Sequence, residues 1–139
     1  MEKIKYLSVE IIALLIVTTS FTVKYNQNYS QNVPGKETYE TFCIACHQAD
    51  GKGQPGVNPP LVGSEWVKGD KNRLIKTVLQ GLNEPIEVNG VKYTNAMPAH
   101  DFLEDADLAQ LLSYVRNKFG ELPDSVTVDE VKKVRDSLK

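Results

Sequence analysis

Both cysteines of this 139-residue chain lie in one short stretch, Cys43-Ile44-Ala45-Cys46-His47. The spacing C-x-x-C-H is the pattern by which two thioether bonds attach a c-type haem while the histidine ligates its iron. In a helix, positions i, i+3 and i+4 lie on one face. We therefore expect Cys43, Cys46 and His47 to point the same way, so that together they can hold one flat macrocycle.

Two other kinds of site use this cysteine spacing. A redox-active disulfide of the thioredoxin kind would lie in a βαβ unit, whereas the residues that flank Cys43 have a helical pattern. A zinc site would have to use every cysteine and histidine of the chain, because at most Cys43, Cys46, His47 and His100 could serve. The motif therefore favours haem attachment, and a thiol protein or a zinc protein stays an alternative.

The composition limits the classes of partner. The net charge is −2 and the pI is about 5.7, so nothing indicates a basic surface that would bind nucleic acid. The length suits one domain with appendages, and the sequence contains no internal repeat. Because both cysteines belong to the motif, none remains for a structural disulfide, and cysteine usage alone does not indicate the compartment.

A second chemical signal is a lone methionine far from the cysteines. Met97 is the only methionine besides Met1, and it lies in a loop-like stretch, residues 95–100, ahead of the last strong helical pattern of the domain. A thioether is an axial ligand of haem iron in some proteins, so Met97 is the candidate for the position opposite His47. Two alternatives stay open: Met97 as a packing residue, and His100 as the distal ligand, although we expect His100 at the surface.

Three motifs in a fixed order give the chain a family resemblance. They are Gly35-x-x-x-Tyr39-x-x-x-Cys43-x-x-Cys46-His47, then Pro59-x-Leu61-x-Gly63, then Met97-Pro98. On these motifs residues 35–119 resemble the class I monohaem cytochromes c, and the finer resemblance is to small bacterial members found beside dehydrogenases or fused to them. The resemblance implies an all-α cytochrome c fold, in which several short helices surround one covalently bound haem c.

The resemblance also implies roles for the site residues. His47 and Met97 would fill the two axial positions of the iron, and the carbonyl of Pro59, with Pro60 as the near alternative, would accept the Nδ1–H of His47. Apart from the resemblance, Trp66 is the only tryptophan of the chain. It would either pack on the haem and donate its N–H to a propionate, or be a core residue whose N–H has another partner.

Local patterns predict the helices that position these residues. Asp70 is placed to cap a helix that Gly81 ends, and Gly120 ends the last helix of the domain. Further on, Thr127-x-x-Glu130 has the spacing of a capping box. Helices are predicted over residues 35–47, 71–80, 103–119 and 128–137.

Residues 86–93 differ from the helical patterns around them. Apolar and polar side chains alternate, and Asn89-Gly90 stands at the centre, which is a strong signal for a two-residue hairpin turn. We therefore expect a small β-hairpin just before the loop that carries Met97.

Residues 1–23 have the pattern of a targeting segment. Lys3 and Lys5 precede an apolar run, as in a secretory signal, and their charge places the N-terminus in the cytoplasm. Small residues that would mark a cleavage site are poorly arranged, so we expect residues 6–23 to stay as a membrane anchor, with a cleaved signal peptide as the alternative. The rest is predicted to be a polar linker over residues 24–34, a cytochrome c domain over residues 35–122 and a C-terminal helical extension over residues 123–139.

Two filled axial positions leave no open site on the iron for oxygen, peroxide or a substrate. We therefore predict one-electron transfer between redox proteins, such as a dehydrogenase or respiratory complex and an oxidase, with no catalytic residue and no small-molecule substrate. The expected place is the periplasmic side of the bacterial inner membrane, because the resembled family acquires its thioether bonds outside the cytoplasm. Alternatives are a haem-bearing subunit of a larger membrane or dehydrogenase complex, and a haem enzyme with a labile sixth ligand.

Overall fold

The computed structural model describes residues 33–139, so the predicted targeting segment and most of the predicted linker lie outside the described residues. The described chain is mostly helical and carries one small sheet. No helix among residues 33–139 is long and apolar enough to cross a bilayer. The elements are α1 (Lys36–Phe42), α2 (Ile44–His47), α3 (Glu65–Lys68), α4 (Lys71–Gln80), β1 (Ile86–Val88), β2 (Val91–Tyr93), α5 (Asp105–Gly120) and α6 (Val128–Asp136).

The predicted first helix, residues 35–47, is divided at Cys43 into α1 and α2. Cys43 departs from ideal helical geometry, with φ −111° and ψ −30°. The hydrogen bonds nevertheless continue, since the Cys43 N–H donates to Tyr39 O and the His47 N–H donates to Cys43 O, each at 2.9 Å. The attachment motif therefore follows one continuous helical path, which ends where Gln48 adopts a φ of 63°.

Helices α1 and α5 cross at Gly35, the N-cap residue of α1. Its φ is +83°, and a Cβ atom there would overlap the backbone carbonyl of Gln110 in α5, so only glycine allows this approach. One turn later, the Tyr39 ring packs with Tyr114 and Phe119 at centroid distances of 5.7 and 5.1 Å. Because the Tyr39 O–H also donates to the backbone at the end of α2, at 2.6 Å, this crossing fixes the helical path that carries the attachment motif.

Helix α4 and the hairpin agree with their predicted bounds. The Asp70 carboxylate caps α4 by accepting the Arg73 N–H at 2.7 Å, and Gly81 ends the helix with a φ of 69°. Strands β1 and β2 pair antiparallel around Asn89 and Gly90, whose φ values of 51° and 77° are those of a two-residue type I′ turn. Both predictions are confirmed. The sequence could make them because the helix end and the turn each depend on the conformational preferences of one or two local residues.

Helix α5 begins at Asp105 and includes Gly120, which is a small correction to its predicted bounds. Gly120 does not supply the left-handed residue that ends the helix; Glu121 does, with φ 56° and ψ 34°. A Cβ atom at position 120 would lie 3.1 Å from a methyl carbon of Val67. Close packing between α3 and α5, rather than a chain reversal, is therefore the physical reason for glycine at this position.

The C-terminal helix α6 packs into the same core as the other helices. Val126, Val131 and Val134 are buried in one cluster with side chains of α4 and α5. The predicted capping box is present, since Thr127 Oγ1 accepts the Glu130 N–H at 3.2 Å and the Glu130 carboxylate accepts the Thr127 N–H at 2.7 Å. The predicted C-terminal extension thus contributes to the core of the described domain.

A polar network fastens the segment that leads into α6. Arg116, whose side chain is only 5% exposed, donates to the Asp124 carboxylate at 3.0 and 2.8 Å and to the Val67 carbonyl at 2.7 Å. These hydrogen bonds, and the positive charge of Arg116, lower the pKa of Asp124. From α4, Lys71 donates to the Ser125 carbonyl at 2.6 Å, so the start of α6 is tied to two other helices.

Candidate haem-binding site

An apolar cleft opens between α2, the loop that follows it, α4, the hairpin and α5. Its empty space of about 700 Å³ is in part open to solvent. Its walls bring together His47, Pro59, Trp66, Met97 and His100. The rest of the lining is mostly aliphatic and includes Leu74, Val78, Leu82, Ile86, Leu111 and Val115.

The two thiols of the attachment motif lie beside His47. Cys43 is partly buried and lines the cleft, whereas Cys46 is exposed and lines an adjoining pocket together with His47 and Met97. Burial, followed by the nearby Cys46, raises the pKa of the Cys43 thiol to about 11. Neither thiol is in a disulfide, so both are available for thioether bonds.

A backbone carbonyl orients the ring of His47. Its Nδ1 lies 3.0 Å from Pro59 O, and because a carbonyl can only accept, Nδ1 carries the proton and Nε2 keeps a lone pair that can bind a metal. Burial lowers the pKa of His47, although the hydrogen bond to Pro59 opposes this change, and a lower pKa favours the neutral form that a metal ligand needs. Of the two candidate prolines, Pro59 makes the contact and Pro60 does not.

Met97 lies on a segment that is fixed to the end of α4. Its backbone N–H and C=O exchange two hydrogen bonds with Leu82, both at 2.8 Å. Gly81 permits this pairing, because a Cβ atom there would overlap the Met97 carbonyl. A little further on, the His100 N–H donates to Val78 O at 2.9 Å. The backbone is therefore held at Met97 itself and again after it.

These groups fit a haem c. Two free thiols, an imidazole with an available nitrogen and a thioether form a donor set that is typical of this cofactor. The cleft is apolar, as a porphyrin requires, and it contains one buried polar atom, Nδ1 of His100, that has no hydrogen-bond partner among the residues described. The side chains around the cleft thus agree with the cofactor that the attachment motif predicts.

Comparison with known proteins gives a family match for the chain. Residues 33–118 match the sequence model of the family Cytochrome c. The chain belongs to the cytochrome c family. Over 102 residues this cytochrome is 36% identical to cytochrome c-552 of Thermus thermophilus, in an alignment that covers 67% of this chain and 78% of that protein.

Two further relatives are matched over only part of their own length. The fructose dehydrogenase cytochrome subunit of Gluconobacter japonicus is 32% identical over 118 residues, which cover 79% of this chain and 24% of that subunit. The cbb3-type cytochrome c oxidase subunit CcoP of Azospirillum brasilense is 33% identical over 93 residues, which cover 62% of this chain and 28% of that subunit.

The predicted resemblance to class I c-type cytochromes is confirmed by these matches. With it, a covalently bound haem c and a function in electron transfer are confirmed for this cytochrome. Bacterial members of the family are typically extracytoplasmic proteins.

In this cytochrome the N–H of Trp66 is bonded to the protein itself. Its Nε1 donates to the carbonyl of Glu87 in β1 at 2.9 Å, and the Arg73 guanidinium lies over the ring, 4.6 Å from the centroid. The ring still lines the cleft. These contacts agree with the interpretation of Trp66 as a packing residue whose N–H has another partner. Donation of that N–H to a propionate stays a prediction.

His100 is not the surface side chain that the sequence predicts. It is 8% exposed, and its ring lies against those of Phe42 and Phe102, at centroid distances of 6.3 and 5.8 Å. The hydrogen bond between its backbone N–H and Val78 O holds this part of the chain against α4 and carries the ring inward. The sequence offers little signal for this, because a histidine between alanine and aspartate in a loop is usually exposed.

An exposed aromatic pair lies beside the attachment motif. Phe42, which directly precedes Cys43, is 43% exposed, and Phe102 is 59% exposed. Their ring centroids are 5.2 Å apart, so the two side chains form one apolar patch at the surface. The sequence analysis missed both residues, because they are distant in the chain and belong to no motif.

Proposed function

We propose that this cytochrome is a one-electron carrier whose single haem c is attached through Cys43 and Cys46 and ligated by His47 and Met97. The observation that carries the proposal is that all four side chains line one pocket, with an imidazole nitrogen and a thioether both available. The bound haem supplies an iron that changes between the ferric and ferrous states. Because His47 and Met97 would both hold the iron, that change is the reaction we assign to the protein.

The contacts of the protein serve this role by keeping the ligands in place. The carbonyl of Pro59 orients the His47 ring and raises its basicity as a ligand. The two hydrogen bonds from Leu82 hold the backbone of Met97, and a thioether ligand gives a higher reduction potential than a second histidine would. The walls of the cleft are mostly aliphatic, so few polar side chains need to rearrange when the charge of the site changes by one unit.

We infer that electrons enter and leave where the attachment motif reaches the surface. Cys46 is exposed there, and the patch formed by Phe42 and Phe102 lies beside it, as an apolar contact for a partner would. The partners are redox proteins, and relatives named as a dehydrogenase subunit and an oxidase subunit support a donor and an acceptor of those classes. Docking of this kind is typically small and transient. Stoichiometric copurification with one large complex would instead favour a subunit role.

The proposed organisation places the haem domain, residues 35–122 with the helix-bearing extension 123–139, outside the cytoplasmic membrane. Residues 1–23 would anchor it and residues 24–34 would form the linker, as the basic and apolar sequence pattern supports. We expect the full-length protein to sediment with membranes and to be released by detergent but not by high salt. A matched variant that lacks residues 1–23 and carries a cleavable signal should be soluble in the periplasm. A soluble natural product that begins near residue 21 would contradict the anchor.

The ligand assignment is tested by Met97→Ala, with His100→Ala as the matched variant on the same wall. We expect Met97→Ala to lower the reduction potential and to let the ferrous form bind carbon monoxide, because the sixth position becomes open. The visible spectrum, a potentiometric titration and carbon monoxide binding measure these effects. His100→Ala should keep the wild-type sixth ligand.

Three outcomes would contradict this proposal. If His100→Ala, and not Met97→Ala, opened the iron, the sixth ligand would be His100. If the wild-type ferrous protein bound carbon monoxide readily at neutral pH, a haem enzyme with a labile ligand would be favoured. A colourless preparation with two titratable thiols would indicate a thiol protein.

A further inference from the structure

The side chain of Arg135, near the end of α6, reaches the segment that follows Met97. Its Nη1 donates to the carbonyl of Asp101 at 2.7 Å and its Nη2 donates to the carbonyl of Leu103 at 2.6 Å. The third contact is an ion pair, in which Nε donates to the Asp105 carboxylate at 2.7 Å. One guanidinium therefore binds two residues of the connection between the Met97 loop and α5, together with the first residue of α5.

Leu103 packs into the core, but the connection makes few other hydrogen bonds. Its backbone is bonded to α4 at His100, and the Leu103 N–H donates to the His100 carbonyl at 3.2 Å. The helical hydrogen bonds of α5 begin only with the bond from the Leu108 N–H to Glu104 O. Within residues 33–139, the hydrogen bonds from Arg135 are the only ones that a side chain makes to residues 98–104. The planar fork of arginine is suited to holding two carbonyls and a carboxylate at fixed positions.

We propose that Arg135 is a positioning residue for Met97: it clamps the segment after the Met97 loop against α6 and so keeps the thioether on the iron. The inference rests on the proposed role of Met97 as the sixth ligand. It gives α6 a function beyond its share of the core, because the helix then controls how easily the sixth ligand leaves.

The opposite end of α6 supplies a matched control. Lys71 ties that end to α4 through the Ser125 carbonyl at 2.6 Å and the Glu130 carboxylate at 3.3 Å. Neither residue belongs to the segment that follows Met97. Lys71→Met and Arg135→Met therefore each remove one cationic tether of α6, but only Arg135→Met releases the Met97 side of the cleft.

The test measures imidazole binding to the ferric holoprotein, because imidazole competes with the sixth ligand. Arg135→Met should bind imidazole about tenfold more tightly than wild type, which corresponds to the loss of one or two net hydrogen bonds. The charge-transfer band of the iron–thioether bond should weaken in the same variant. Lys71→Met should lower the thermal midpoint while leaving imidazole affinity and the band unchanged. Arg135→Lys, which keeps the charge but loses the fork, should give an intermediate affinity.

The outcomes separate this inference from the proposed function. Equal imidazole affinity in wild type and Arg135→Met, or the same increase in Lys71→Met, would overturn the positioning role while Met97 remained the ligand. A wild-type protein without the thioether band, unaffected by Met97→Ala, would overturn the ligand assignment itself. Should Arg135→Met fail to retain haem, Arg135→Lys decides, since unchanged imidazole affinity in that folded variant would also contradict the inference.

Discussion

The two sides of the cleft are built in different ways. On the His47 side, the two thiols and the imidazole belong to five consecutive residues, and the orienting carbonyl of Pro59 follows in the next loop. On the Met97 side, the backbone is held by Leu82 near the end of α4 and, we propose, by Arg135 from α6. The first side is therefore local in sequence, whereas the second is assembled from distant segments. We expect that the Met97 side can loosen while the rest of the fold stays intact.

The largest effect is expected on the His47 side, from Gly35→Ala. A methyl group at this position would overlap the Gln110 carbonyl, and the residue would be left at a φ of +83°. The backbone strain and the steric overlap should together cost about 3 kcal/mol or more of the free energy of unfolding. Chemical denaturation of the holoprotein measures this loss.

Gly56→Ala is a matched control for that experiment. Gly56 also has a positive φ, of +75°, but open space surrounds the place of its Cβ atom. Only the backbone strain of the positive φ remains in this variant. Gly56→Ala should therefore lower the free energy of unfolding by about 1 kcal/mol. Equal losses in the two variants would show that the α1–α5 crossing does not require close approach at Gly35.

Gly81→Ala changes the Met97 side of the cleft, and its effects should distinguish the two sides of the cleft most clearly. Its Cβ atom would overlap the Met97 carbonyl, and the residue has a φ of +69° and a ψ of −171°, a region that is almost exclusive to glycine. We expect about 2 kcal/mol of destabilisation together with tighter imidazole binding, because the Leu82 pairing must shift. Unchanged imidazole affinity would mean that the backbone position of Met97 does not control its bond to iron.

Trp66→Phe should have a smaller effect, confined to the hairpin. The variant loses the hydrogen bond to the exposed carbonyl of Glu87 and keeps an aromatic ring on the cleft wall. The expected cost is about 1 kcal/mol of stability with no change in reduction potential. A clear shift of the potential would instead support the interpretation in which Trp66 donates to a propionate.

The smallest effect concerns acid stability at the start of α6. Arg116 lowers the pKa of Asp124 through its hydrogen bonds and its charge, so the stability from this pair is complete above the ordinary pKa and is lost as the pH falls through the lowered one. We expect Asp124→Asn to be less stable than wild type above about pH 5 and the difference to shrink below about pH 4. Thermal unfolding of both proteins across this range measures the difference, and their common haem site cancels in the comparison.

The sequence correctly predicts those structural features that depend on residues close together in the chain. The cap at Asp70, the turn at Asn89-Gly90 and the capping box at Thr127 each follow from the conformational or hydrogen-bonding preference of a few adjacent side chains. The attachment motif belongs to the same class, because helical spacing alone brings Cys43 and His47 to one side. These predictions needed no knowledge of the tertiary fold.

The features that the sequence did not predict depend on contacts between distant segments. His100 is buried because its backbone binds Val78, Gly120 gives room for the close approach of Val67, and Arg135 meets carbonyls more than thirty residues earlier. A loop histidine and an arginine near the C-terminus carry no local signal of such contacts. The Met97 side was therefore predicted by residue type and order, but the way in which it is held was not.

The pairing of Leu82 with Met97 also closes the base of the hairpin, since both ends of the intervening chain are bonded to each other. Those two hydrogen bonds thus lie between the Asn89-Gly90 tip and the chain that follows Met97. Space is open around the missing Cβ of Gly90, which makes the tip a suitable point for inserting an electrode-binding peptide or a fluorophore tag. Such an insertion would label the protein at the end of the hairpin opposite the Leu82–Met97 pair.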